Sequence, residues 1–158
     1  MLLLMSISTI ISSLAIILLV WHIIRQKQLM VNETTIRAYE RLQKEVFYDV
    51  NYDPQKLSNL YLEESVSKDA VKYLDQIEHF CLGINTGLYS LRFLYKMDGP
   101  YIVEQYSLWV PFIVAKRTRR KKTDMYQEFE KVAKAIQRIR FAKMEEKKMG
   151  QRGQTLGP

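Results

Sequence analysis

One cysteine in 158 residues, Cys81, excludes an intrachain disulfide and suits a reducing compartment. Only six glycines and four prolines punctuate the chain, and alternating β-branched runs are missing. Both shortages argue against a sheet protein and for a helical one. No G-x-x-x-x-G-K-[ST], G-x-G-x-x-G, G-x-S-x-G or H-E-x-x-H occurs. The chain therefore reads as non-enzymatic, with no cofactor and no metal expected.

The most informative absence is local. Residues 2–24 contain no Asp, Glu, Lys or Arg; seventeen of the 23 are apolar and fourteen are Leu, Ile or Val. As a helix, 23 residues extend about 34 Å, enough for a hydrocarbon layer of roughly 30 Å with some tilt. Each Leu, Ile or Val near the centre favours insertion by roughly 0.3–0.6 kcal/mol, and no charge opposes the sum. A signal peptide fits less well, because a basic leading region and an A-x-A-like cleavage site are both missing. Residues 1–25 are read as a transmembrane anchor, carried by Leu2, Leu14, Ile17, Leu19, Trp21 and Ile24. Trp21 and His22 suit the headgroup layer, and Arg25, Lys27, Arg37, Arg41 and Lys44 follow the span. By the positive-inside rule the amino terminus lies outside and the body faces the cytoplasm. Serine and threonine at positions 8, 9, 12 and 13 repeat at four-residue spacing, as in small-residue helix contacts, though such hydroxyls also bond back to their own helix.

Charge is unevenly spread. Residues 25–115 carry ten basic and twelve acidic side chains, whereas residues 116–158 carry fourteen and five. Basicity belongs to the last quarter. Aromatic residues, including ten Tyr and six Phe, are plentiful enough for a core in the roughly 130 residues after the anchor.

The first helix is expected to run on from the anchor with Ile36, Tyr39, Leu42 and Val46 on one face. Asp53 and Pro54 cap a short helix through Leu57, Leu60 and Tyr61. From near Ser67, Ala70, Leu74, Ile77, Cys81 and Ile84 form a buried stripe that should stop at the Asn85–Thr86–Gly87 turn. A short helix then closes at Asp98–Gly99–Pro100, and a further one follows in which Pro111 either kinks the helix or begins a new segment. The last, about 124–148, carries Met125, Phe129, Val132, Ile136 and Ile139, with a Glu130–Lys134 pair on its surface. It reads as one side of a bundle, the alternative being a seam for self-association. The expected architecture is all-α: an anchor, a cytosolic bundle over 26–148 of about five helices, and a disordered tail at 149–158.

Three groups of residues invite chemistry. Asp75, Glu78 and His79 crowd one helix face, but a metal needs a further ligand and the other histidine, His22, sits at the membrane boundary. Structural pairing is the plainer reading. Cys81 lies on the apolar stripe without a base, as a small buried hydrophobe does. Lys116, Arg117, Arg119, Arg120, Lys121 and Lys122 form a basic surface segment. It is a solvated run, a contact to anionic headgroups, or a phosphate contact to nucleic acid. Trp109 and Phe112 just before it suit either a membrane interface or a core.

The stretch YLDQIEHFCLGINTGLYSLRFLYKMDGPYIVEQYSLWVPFIVAKR resembles the domain of unknown function 4760 (DUF4760), a group of small, often membrane-anchored bacterial and phage proteins. The "LDQIEHF" helix, the "GINTG" turn and the "PFI" before basic residues carry the likeness, which spans about residues 35–145. It implies a helical domain of this length in a bacterial cell membrane and brings no ligand residues. The expected role is a non-catalytic interaction or accessory module at the cytoplasmic face. Its expected partners are the lipid bilayer, anionic headgroups and a protein or second copy, with nucleic acid as the alternative.

Overall fold

The computed structural model describes residues 2–44 and 64–154, and everything described is helix or turn. Four helices account for it: α1 (Leu2–Leu42), α2 (Glu64–Asn85), α3 (Leu91–Arg120) and α4 (Gln127–Gln154). The short helix expected after Pro54, the face position Val46 and the end of the chain at 155–158 lie outside the described residues.

α1 is 41 residues long. Its section Ser13–Leu42 is long and apolar enough to cross a membrane by length and composition. Leu14, Ile16, Ile17, Leu18, Leu19 and Trp21 each keep about half or more of their surface exposed, so none of the described residues covers them. The carboxyl-terminal part of the same helix is packed. Tyr39 and Leu42 are buried as expected, but the buried face is led by Thr35, and Ile36 is only partly covered.

α2 follows its sequence pattern closely. Ala70, Leu74, Ile77, Cys81 and Ile84 are all buried. The helix stops where anticipated: Gly87 takes the left-handed backbone (φ 79°) that side chains resist, and its N–H bonds the Ile84 carbonyl (3.1 Å). Gly83 has a different reason. A Cβ there would fall on the Tyr89 ring, which folds back over the helix end to stack on Phe80 at 5.3 Å.

Ser90 caps α3, its Oγ accepting from the Phe93 N–H (3.2 Å). As the Asp98–Gly99–Pro100 signal predicts, two helical stretches meet here, at a kink at Asp98, whose torsions (φ −157°, ψ 36°) leave the helical range. Pro100 causes the bend, since it lacks an N–H and its ring crowds the carbonyl four residues back. Pro111 makes no such break. After the bend, α3 lays Ile102, Trp109, Phe112 and Ile113 into the core. Trp109 meets Tyr73 at 4.9 Å and the edge of Phe112 at 5.7 Å. Both side chains are thus interior, which corrects the option of placing them at a membrane surface. Each fully buried side chain of this size contributes roughly 1.5–3 kcal/mol.

The α3–α4 turn passes through two left-handed residues, Lys121 (φ 52°) and Tyr126 (φ 58°). α4 then buries Phe129, Val132 and Ile136 against α2 and α3, with Met125 only partly covered. Lys134 pairs with Glu130 at 2.5 Å, as its spacing predicted. Residues 149–154, expected to be a tail, continue the helix.

Candidate functional site

The part of the molecule with the most specific polar geometry is the joint between α1 and the bundle. Thr35 is completely buried on α1. Its hydroxyl donates to the Val31 carbonyl (2.6 Å) and accepts from the Ser90 N–H (2.9 Å). One side chain thereby satisfies the amide of the α3 cap residue. One turn on, the Tyr39 hydroxyl donates to the Asp98 carboxylate (2.6 Å), at the bend itself. Its ring packs on Phe80 at 5.9 Å. These contacts fix where α1 meets α3 at two levels. Sequence reading missed Thr35 and the Asp98 partnership. The 4,3 spacing of Thr35, Tyr39 and Leu42 was the available signal, hidden because threonine does not count as apolar.

Beside the joint a groove of about 470 Å³ opens between α1 and α2, lined among others by Arg37, Arg41, Gln76, His79, Phe80 and Tyr89. Arg37 is held by Glu33 (2.6 Å) on the exposed side of α1. His79 enters the groove from α2 with Nδ1 2.6 Å from the Asp75 main-chain oxygen. A carbonyl only accepts, so Nδ1 carries the proton. The expected carboxylate–imidazole pair is therefore not formed.

Glu78 points to the other side of α2. Its two carboxylate oxygens accept from the N–H groups of Glu128 (3.0 Å) and Phe129 (2.8 Å) at the start of α4. Free N–H groups and positive dipole end make a helix start a good partner for a carboxylate. Burial pushes the Glu78 carboxyl above its ordinary range, while the two amides pull it back. Asn85 adds a second clamp, donating from Nδ2 to the Glu128 carbonyl (3.2 Å) and carboxylate (2.6 Å). Glu78 and His79 therefore serve separate contacts on different sides of α2. Among the described residues no three His, Cys, Asp or Glu side chains converge on a metal-sized site. Cys81 is fully buried, and burial drives its thiol well above the usual range, away from reactivity.

The basic segment divides in two. Lys116 rests over the Phe112 ring at 5.4 Å, and partial burial followed by the nearby Arg120 lowers its pKa. Arg117 is committed inward: Nε donates to the Met125 carbonyl (2.8 Å) and the guanidinium pairs with Glu130 (2.9 Å). Only Arg119, Arg120, Lys121 and Lys122 are exposed, which corrects the reading of all six as surface.

The family model for a domain of unknown function (DUF4760) matches residues 9–136, from within the apolar half of α1 to the buried end of α4. The chain belongs to the DUF4760 family. The match joins α1 and the bundle in one unit, in keeping with the shared contacts at Thr35 and Tyr39. No curated protein and no solved structure gives a significant match. In this DUF4760 chain the joint, the groove and the Glu78 clamp all lie within the matched residues.

Proposed function

We propose that this DUF4760 chain is a single-span membrane protein whose helical domain works, without catalysis, as an interaction module at the cytoplasmic face of the cell membrane. One observation carries the reading: α1 is a single helix with uncovered apolar side chains in its first half and a packed face in its second. Water does not stabilise a helix clad in Leu and Ile on every side; hydrocarbon does. The basic residues immediately after Ile24 support a cytoplasmic body. The bilayer, a protein partner and a second copy are the proposed partners, reached through the exposed faces of the domain.

The test uses the full-length chain expressed in cells. Membranes washed with alkaline carbonate should retain it, and protease added to intact cells should spare it until the membrane is opened. Recovery in the carbonate supernatant, or cleavage of the domain from outside, overturns the proposal. Nucleic-acid binding is the competing outcome. Retarded bands that weaken steeply with salt and vanish when Arg119, Arg120, Lys121 and Lys122 become Gln would establish it instead.

A further inference from the structure

The groove between α1 and α2 combines two kinds of lining. Its least exposed residues are apolar: Ala38 and Leu42 from α1 and Phe80 from α2, on which the half-buried Tyr89 ring stacks at 5.3 Å. Its exposed ones carry or can carry positive charge: Arg37 and Arg41 on α1 and His79 on α2. No Asp or Glu is among the described residues that line it. At about 470 Å³ the space is of the size that takes a small ligand.

Arg37 and Arg41 are four residues apart, about 6 Å along α1. Guanidinium groups present planar forks of N–H donors, which match the oxygens of a phosphate. Arg37 already has a partner in Glu33, but both side chains of that pair are largely exposed (77% and 62%). An ion pair so open to water contributes little and yields readily to a second anion. His79 answers from the other helix. Its Nδ1 is tied to the Asp75 carbonyl, which leaves Nε2 as the ring nitrogen for a ligand and a further cationic donor once the ring is protonated. An inorganic ion would use these three side chains alone. Ala38, Phe80 and the Tyr89 ring offer an organic group apolar surface to cover as well.

We propose that this groove binds a small organic phosphate, with the phosphate between Arg37, Arg41 and His79 and an apolar or planar body against Phe80 and Tyr89. Charge complementarity selects the head of the ligand and the apolar lining selects its body. The site draws on α1 and α2 together, so the ligand braces the joint that Thr35 and Tyr39 make. The inference goes beyond the membrane reading and needs no bilayer around α1. A soluble nucleotide and a single-chain lipid phosphate share the chemistry, and the experiment separates them.

The test uses the full chain in micelles of an uncharged detergent and follows the Cε1 proton resonance of His79. His79→Gln identifies that signal, and His22, the other histidine, is the internal reference. Adenosine monophosphate and a short-chain lysophosphatidic acid are titrated in turn, each against its phosphate-free counterpart, adenosine or the monoacylglycerol; inorganic phosphate is the third arm. The expected result is a saturable shift of the His79 signal with at least one of the two organic phosphates, which names the source, and none with its counterpart. Arg37→Gln and Arg41→Gln should each weaken that binding by about tenfold or more. Arg119→Gln, which does not line the groove, should leave it unchanged. Near-ultraviolet circular dichroism checks that each variant keeps the fold. A His79 signal that neither organic phosphate moves overturns the inference. So do equal shifts with the phosphate-free counterparts, equally tight binding of inorganic phosphate, or an affinity indifferent to Arg37 and Arg41. Each of these outcomes leaves the carbonate and protease tests of the membrane reading untouched.

Discussion

The two halves of α1 share one backbone and opposite surroundings. Near Ile17 the side chains are more than half exposed on all sides, whereas Thr35, Tyr39 and Leu42 are almost wholly covered by α2 and α3. The apolar half is richer in Leu and Ile, yet the core of the protein is built on the other half, around a threonine and a tyrosine. Hydrophobicity alone therefore does not identify a core residue. What distinguishes the halves is whether apolar groups occupy one stripe, which packs on a protein partner, or the whole circumference, which suits the lipid of the proposed span.

The largest effects should separate the halves cleanly. Leu14→Arg with Ile17→Arg puts two charges in the span at roughly 2.5–3.5 kcal/mol each. The chain should leave the carbonate-washed membrane pellet while its thermal unfolding, followed by near-ultraviolet circular dichroism, stays unchanged. Trp109→Ala should do the reverse, costing the bundle about 3–5 kcal/mol and leaving the chain in the pellet. If either variant moves both readouts together, the halves are not independent.

A mid-sized effect tests the joint between them. Tyr39→Phe removes the donor to Asp98 and leaves that carboxylate short of one partner at the bend. Thr35→Val orphans the part-buried Ser90 N–H while keeping the shape. Each should lower stability by about 1–3 kcal/mol in denaturant titrations without changing membrane retention. No loss in either variant would mean that α1 is only leaning on the bundle.

Much of this organisation is legible from spacing. The α2 stripe, its stop at Gly87, the Glu130–Lys134 pair and the buried Cys81 follow from helical period and turn chemistry. What spacing does not contain is which polar group meets which across 50 or so residues. Thr35 with Ser90, Tyr39 with Asp98 and Glu78 with the start of α4 are tertiary bonds, set by helix placement. The break that Asp98–Gly99–Pro100 signals is there, at Asp98; what spacing does not give is that Leu94 before it and Ile102 after it enter the same core. The basic run misled in the same way, because Glu130 of α4 and the Met125 carbonyl in the turn before it capture Arg117.

Acid should loosen the start of α4. Lys131, with Asn85, holds Glu128 below its ordinary pKa, and Lys134, with Arg117, does so for Glu130. A carboxylate depressed in the fold contributes stability above its unfolded pKa and loses it as pH falls through the lower, folded value. Glu78 has the opposite sign: its folded pKa is raised, so its contribution is full below the unfolded value and fades as pH rises through the raised one. The two tendencies partly offset. Lys134→Gln should flatten the fall in melting temperature below the ordinary carboxylate range; an unchanged acid limb would rule out the Glu130 pair as its source.

The smallest effect comes from the α3–α4 turn, where two left-handed residues differ in what holds them. Lys121 is exposed, and its main role there is an N–H to the Arg117 and Thr118 carbonyls, which any residue supplies. Tyr126 pins its buried ring against the bundle. A left-handed residue with a Cβ is strained by roughly 1–2 kcal/mol, and glycine relieves that at some cost in unfolded-chain entropy. Lys121→Gly should therefore stabilise the domain by about 0.5–1 kcal/mol. Tyr126→Gly relieves the same backbone but removes a buried aromatic ring worth more than the strain, so it should destabilise. Opposite signs in paired guanidinium titrations are the expected result. Equal signs would mean that the turn is set by its backbone bonds and not by the Tyr126 ring.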